Sequence, residues 1–289
     1  MKRLFRIPFY LLFLLLFAAC NKNDDAAPSV NGQPFSTDPQ SRTLNPRVEE
    51  ISGIADSKSN PGFLWAHEDS GNPTQLHLIG HDGNLSKKVY LKGIKNRDWE
   101  DMALSGNQLY IADTGDNNKK QTSYTIYQFT EPSPTTDTVH TIQQIRFRYP
   151  DGSHDAEALL VDPKTNDILI ITKQDDPSRI YKISAPFKYT TIDTAQLVGQ
   201  ITFTGVVSAA LSPDGTEAIL KTYSGLNYYK QQAGEPLESF LQQQPVDIPY
   251  KVEPQGEAVT FAGNNSGFFT LSEKGFINAP VNLYFYPRK

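Results

Sequence analysis

Only one of the 289 residues is a cysteine, at position 20. A single thiol excludes an intrachain disulfide framework. Basic residues are in deficit, with 27 Lys and Arg against 32 Asp and Glu and a formal net charge of -5. No basic stripe is available to meet phosphates, so no nucleic-acid role is expected. Beyond the N-terminus there is no long apolar run and no long amphipathic helix; residues 236–244 offer a turn or two at most. The Gly-x-Ser-x-Gly elbow, the Walker loop and the dinucleotide glycine fingerprint are all missing. A serine hydrolase would therefore have no nucleophile. Histidines number 5, and none forms a metal pair at helical spacing or a zinc-like motif. His67 and His154 fall near the starts of repeats, where a lone histidine is most often structural.

What is present points to β-structure. The chain carries 14 Tyr, 16 Phe, 19 Gly and 20 Pro, the last two in short clusters. This is the profile of a turn-rich, all-β protein.

The N-terminus reads as an address. Lys2, Arg3 and Arg6 precede an apolar run from Ile7 to Ala19, and Cys20 follows Phe17-Ala-Ala. The run is too short to span a bilayer comfortably. It resembles a bacterial lipoprotein signal, residues 1–19, cut so that Cys20 becomes the lipidated first residue. An ordinary signal peptide with a chance cysteine is the alternative. Residues 20–40 are polar and aperiodic and read as a flexible tether. Asn21-Lys-Asn-Asp-Asp resembles the acidic stretch of surface-exported lipoproteins of Bacteroidota. The expectation is a monomer, lipid-anchored at the cell envelope, on the outer membrane and exposed at the surface.

Residues 41–289 repeat. Glu50-Ile-Ser-Gly-Ile, Glu100-Asp-Met-Ala-Leu, Glu157-Ala-Leu-Leu-Val, Ser208-Ala-Ala-Leu and Glu257-Ala-Val-Thr-Phe recur at steps of roughly fifty residues. Each is followed by a Gly/Asn/Asp/Pro turn and a second apolar strand, then a third. Fourth strands fit 85–91, 142–149, 197–203 and 245–250. The last repeat lacks its fourth strand, and 41–47 can supply it, closing the ring and removing open edges. The expected fold is a five-bladed β-propeller of four-stranded blades; six blades is the alternative, a β-sandwich a distant one.

In a propeller the inner strand begins and the second strand ends on one face. Glu50, Glu100, Glu157, Ser208 and Glu257 should therefore ring one mouth, joined by Asp69, Asp113, Lys173, Tyr223 and Glu273. Carboxylates so close repel unless a cation or proton lies between them, and hard oxygen ligands suit Ca²⁺. The densest metal-ligand set is Glu100, Asp101, Asp113, Asp116 and Asn117. The same Asp, Gly and Asn residues are ordinary turn formers, and the loop does not match an EF-hand. The ligand-binding residues expected around the mouth are Glu50, Asp69, Trp99, Glu157, Lys173, Glu257 and Glu273. Trp99 and Trp65 could instead pack between blades. Lys173 and Lys221 are the basic residues expected near the mouth, as anion clamps or as ion-pair partners of the acids.

The strings Ile51-Ser-Gly-Ile-Ala, Asp69-Ser-Gly, Asp98-Trp-Glu-Asp-Met-Ala and Asp113-Thr-Gly-Asp-Asn, with Trp65, resemble a family of secreted bacterial propeller proteins, many from Bacteroidota. These are distantly similar to SdiA-regulated, phytase-like and TolB-like propellers. The phytase-like resemblance implies calcium ions bridging carboxylates and substrate phosphates, at Glu100, Asp101, Asp113 and Asp116. This chain lacks the Lys and Arg cluster that such chemistry wants. The expected function is an acidic, Ca²⁺-binding funnel for a small molecule, glycan or envelope protein. The alternatives are a metal-dependent hydrolase of phosphate or sugar esters, and an assembly partner.

Overall fold

The computed structural model describes residues 33–275 and 280–289. The expected signal segment, Cys20 and most of the tether lie outside them.

The strands form five sheets arranged as a five-bladed propeller, not six blades and not a sandwich. Blade 1 runs outward through Ile51–Asp56, Phe63–Glu68, Gln75–Gly80 and Leu85–Leu91. Blade 2 uses Trp99–Ser105, Gln108–Asp113, Tyr124–Thr130 and Gln143–Arg148, and blade 3 uses Ala156–Val161, Ile168–Thr172, Arg179–Ile183 and Gln196–Gln200. Blade 4 contains Ser208–Leu211, Glu217–Lys221, Leu226–Lys230 and Val246–Ile248. Blade 5 takes Ala258–Phe261, Gly267–Leu271 and Asn282–Pro287 from the end of the chain and Gln40–Thr43 from its start. Gln40 pairs antiparallel with Phe285 and Thr43 with Asn282, so the ring closes as the missing fourth strand requires.

Neighbouring strands within a blade are antiparallel, and apolar side chains on both sheet faces pack against the next blade. One apolar cluster fills each gap. Between blades 1 and 2 it holds Trp65, Trp99, Leu76 and Tyr127; between blades 4 and 5 it holds Phe35, Phe261, Phe268 and Tyr286. Phe35 is fully buried, edge-on to Phe268 at 4.8 Å. Ser36 N–H donates to Pro287 O at 2.8 Å. The domain therefore begins by residue 35, within the stretch expected as tether, because this aromatic ring fills the seam beside the closing blade.

Two short strands were not evident from the repeat. Thr138–Val139 pairs parallel with the outer strand of blade 1, and Asp193–Thr194 with that of blade 2. Each crosses from one blade to brace the edge of the previous one. Leu237–Phe240 is a single helical turn.

Three inner strands carry register shifts where they start, between Ile51 and Gly53, Trp99 and Met102, and Ala156 and Ala158. A bulge adds an unpaired residue and re-aims the side chains around it. In blade 2 it lets the consecutive residues Glu100 and Asp101 both point toward the axis.

Candidate functional site

The starts of the inner strands and the ends of the second strands share one face. Ile51 pairs with Glu68, Trp99 with Asp113, Ala156 with Thr172, Ser208 with Lys221 and Ala258 with Leu271. The residues just beyond these pairs form the acidic mouth.

Two groups of carboxylates converge there. Glu100, Asp155 and Glu157 form one, Asp69, Asp98 and Glu100 the other. In each group one oxygen per residue lies within 4.8 Å of the others. The first group is buried, with Asp155 1% and Glu157 4% exposed. Asp155 Oδ1 accepts the Asp116 N–H at 2.8 Å, and Glu157 Oε1 meets the Lys173 ammonium. Their other oxygens, Asp155 Oδ2 and Glu157 Oε2, are buried with no hydrogen-bond partner. A buried acceptor without a donor is costly, on the order of 1–3 kcal/mol and more when charged.

Electrostatics follow the crowding. Burial, then the negative neighbours Glu157, Asp69, Asp98 and Glu257, holds Glu100 well above the usual carboxylate range. Burial pushes Glu157 up to about 8 against the pull of Lys173. Burial, then the adjoining Glu257 carboxyl, pushes Glu273 up to about 9. Asp69 and Asp98 are raised by burial too, with acidic neighbours adding to it. These sites want a proton or a cation.

The rim continues from Lys173. Its Nζ lies 3.2 Å from the Tyr223 hydroxyl and 5.1 Å from that ring's centroid. Tyr223 donates to Glu257 Oε1. Burial disfavours the Lys173 charge, yet Glu157 beside it keeps its pKa above the ordinary lysine value. Glu50 is exposed and accepts from Asn72 Nδ2 at 2.6 Å.

Several residues expected at the mouth are elsewhere. Asp101 is on the axis below it. Its Oδ1 accepts from Met102 N–H at 2.9 Å and Ser208 Oγ at 3.0 Å; its Oδ2 accepts from Leu159 N–H at 2.9 Å and Ala209 N–H at 3.1 Å. Both oxygens are spent on tying blades 2, 3 and 4 together, which removes Asp101 from the ligand set. Asp113 accepts the Asp98 N–H at 2.9 Å and stands 3.7 Å from Arg97 Nε, outside both groups. Asp116 caps its own loop, accepting from Lys120 N–H, Gln121 N–H and the Tyr124 hydroxyl at 2.8, 2.8 and 2.9 Å. Asn117 is exposed and takes a bond from Gln174. Trp99 is fully buried, its indole N–H on Lys95 O at 3.1 Å, so it packs between blades and offers no face to a ligand. Lys221 is fully buried and its ammonium is held by Glu253 and Tyr250, each at 2.8 Å. His67 is sealed under Trp99, burial pushing it down to about 4. His154 is held by Asp175 at 2.7 Å and Asp151 at 3.2 Å.

Sequence reasoning missed Asp98 and Asp155 as members of the set. A signal was available: Asp98-Trp-Glu100 and Asp155-Ala-Glu157 are the same Asp-x-Glu at the start of consecutive blades. Gly115 was also missed. A Cβ there would strike Glu100 Oε1 and the Asp98 carboxylate.

At the other end of the axis, below Asp101, a cavity of about 880 Å³ is lined by Met102, Leu104, Leu160, Leu211 and Phe261, with the His81–Asp56 pair on its wall.

No protein-family model matches the chain, and no curated protein does. Solved structures similar to it include the WD40 repeats of RRP9, at 11% identity over 89% of this chain and 99% of that one, with a TM-score of 0.46. U3-55K matches at 12% identity over 82% and 67%, with a TM-score of 0.40. Hydrazine synthase of Kuenenia stuttgartiensis matches at 10% over 83% and 71%, with a TM-score of 0.40. Likeness at this level bears on neither activity nor partner.

Proposed function

We propose that this chain is a lipid-anchored, cell-envelope propeller of the secreted bacterial type, whose acidic mouth binds Ca²⁺ and presents it to an oxygen-bearing ligand or partner. The observation that carries the reading is the pair of buried, donorless oxygens, Asp155 Oδ2 and Glu157 Oε2, on two of the three residues of the group that includes Glu100. The donor set is all carboxylate, without imidazole or thiolate. Such ligands favour hard cations, and Ca²⁺ tolerates irregular oxygen geometry better than Mg²⁺. Lys173 fixes one oxygen of Glu157 and leaves the other for the ion. The anchor rests on the N-terminal signal pattern ending at Cys20.

Calorimetric titration of the purified protein with CaCl₂, paired with thermal melts, tests the metal. Saturable binding is expected, with stabilisation of about 2.7 kcal/mol once calcium reaches a hundred times its Kd. No heat and no melting shift at millimolar calcium would sink the reading. Glu157→Gln should weaken binding at least about tenfold.

A metal-dependent hydrolase is the second reading. It is favoured by Lys173, whose ammonium stands at the rim between Glu157 and the Tyr223 hydroxyl, placed to clamp a substrate anion beside the cation. Turnover of phosphate or sugar esters that needs calcium and is lost in Glu157→Gln would establish it.

A further inference from the structure

The cavity at the far end of the axis is walled by backbone. N–H and C=O groups alternate sides along a strand. The N–H groups of Asp162, Ser212 and Ala262 donate into their own blades, to Asp167, Glu217 and Gly267. Val161, Leu211 and Phe261, one residue earlier, therefore turn their backbone groups to the axis. Ser57 donates to Phe63 and sets Asp56 to the axis in the same way. In blade 2 the Met102 N–H meets Asp101 on the axis, so Leu104, two residues on, faces it too. The bonds from Leu159 and Ala209 to Asp101 fix the same alternation independently in blades 3 and 4.

Asp56, Leu104, Val161, Leu211 and Phe261 all line the cavity. Each blade thus offers it one N–H and one C=O from the open edge of its inner strand. The side chains go sideways; Val161 and Phe261 belong to the apolar seams between blades.

These edges select the occupant. An acyl chain would strip water from them and return no bond, at about 1–3 kcal/mol for each group left unmet. With both groups from five blades, that exceeds the gain of about 0.8 kcal/mol per buried CH₂. An anion would suit the N–H groups and face the C=O groups beside them. A hydroxyl donates and accepts, and so satisfies both.

The wall between blades 5 and 1 adds flat apolar surface. The rings of His81, Phe269 and Phe285 stand in a row, with centroids 4.5 and 4.7 Å apart and tilts of 41° and 37°. All three line the cavity, and His81 and Phe285 are partly exposed. His81 Nε2 lies 2.7 Å from Asp56 Oδ1, and Asp56 Oδ2 accepts the Gly263 N–H at 2.7 Å. The imidazole is thereby fixed across the two blades, with Nδ1 left over for a ligand.

We propose that this cavity binds a short neutral oligosaccharide. Sugar hydroxyls meet the strand edges, the C–H face of one ring lies on the aromatic row, and one hydroxyl bonds His81 Nδ1. A volume of about 880 Å³ falls in the range of small-molecule sites, about 300–1,000 Å³. Asp101 stands between this site and the acidic mouth, so the two act independently.

The test is titration of the purified protein with maltose, cellobiose, lactose and N,N′-diacetylchitobiose, by saturation-transfer NMR and calorimetry, with decanoate as the apolar comparison. At least one disaccharide should bind with a Kd on the order of 1 mM or tighter, and decanoate should not. His81→Phe keeps the ring and removes its hydrogen bond. Phe285→Leu keeps apolar bulk and removes the flat face. Each should weaken binding about five- to tenfold, and either serves if melts show the other misfolded. Glu157→Gln and chelator should leave sugar affinity unchanged. No disaccharide bound at about 10 mM overturns the proposal. So does binding that both folded variants retain in full, binding of decanoate alone, or binding lost with chelator, which would place the sugar at the acidic mouth.

Discussion

Replacing Asp101 separates a structural role from a ligand role. Its carboxylate accepts four hydrogen bonds, and those from Leu159 and Ala209 come from blades 3 and 4. Asp101→Ala leaves the buried N–H groups of Met102, Leu159 and Ala209 without an acceptor, at about 1–3 kcal/mol each, for a total of about 3–9 kcal/mol. Against a domain stability of roughly 5–15 kcal/mol, that is a severe loss. Asp101→Asn keeps one oxygen. If that oxygen faces Leu159 and Ala209, the amide NH₂ is set against the Met102 N–H and the Ser208 hydroxyl. Ser208 Oγ has a second lone pair for the amide besides the one that accepts from Val259 N–H at 3.3 Å, but the Met102 N–H goes unmet, at about 1–3 kcal/mol. The order expected in urea unfolding is wild type, then Asn, then Ala, at an unchanged slope. Calcium affinity should stay the same in every variant that folds. An Asp101→Ala protein within about 0.5 kcal/mol of wild type would refute the bracing role. So would a loss of calcium binding at unchanged stability, which would return Asp101 to the metal ligands.

Stability should fall with pH in the metal-free protein. Burial pushes Glu157 up to about 8 and Glu273 up to about 9. Between about pH 4.5 and 9 the unfolded chain has released these protons while the fold retains them, so raising pH favours unfolding. Melting temperatures in chelator should decrease through pH 5, 7 and 9, and calcium should offset the decrease; a rise across this range contradicts the assignment. Phe35→Ala should cost about 3–5 kcal/mol in thermal unfolding, because its ring is fully buried in the seam between blades 4 and 5; a neutral result would put residue 35 back in the tether. Asp116→Ala should cost about 1–3 kcal/mol through its lost loop bonds and leave calcium affinity unchanged; an altered affinity measured by calorimetry would place Asp116 among the ligands.

The blades could be read from the chain because each repeats the same local chemistry, an apolar strand, a turn and an apolar strand. The closing strand could be read because the last repeat was one strand short. The position of the mouth followed from strand direction alone. Which acids stand in it did not follow, because backbone register decides that. The shift between Trp99 and Met102 sends Glu100 upward and Asp101 down the axis, and nothing in Glu-Asp-Met announces a bulge. Asp113 and Asp116 looked like ligands because turn-forming and metal-binding residues are the same residues. Their oxygens are taken by backbone N–H groups of their own loop and its neighbours. Lys221 follows the strand pattern of Lys173 but points to Glu253, a partner in a loop that no periodicity locates.

The composite blade also dictates an order of assembly. The strand that begins the domain, Gln40–Thr43, has its partner in Asn282–Pro287 at the very end. During synthesis the first strand is made and must wait, edge unpaired, while the other four blades are built. Only Asn282–Pro287 can lock it, and a pairing across so long a sequence separation is intrinsically slow to form. A ribosome stalled anywhere before Asn282 leaves a stack of blades that cannot shut, and loss of a few C-terminal residues should be felt as failure of the whole ring rather than of one blade.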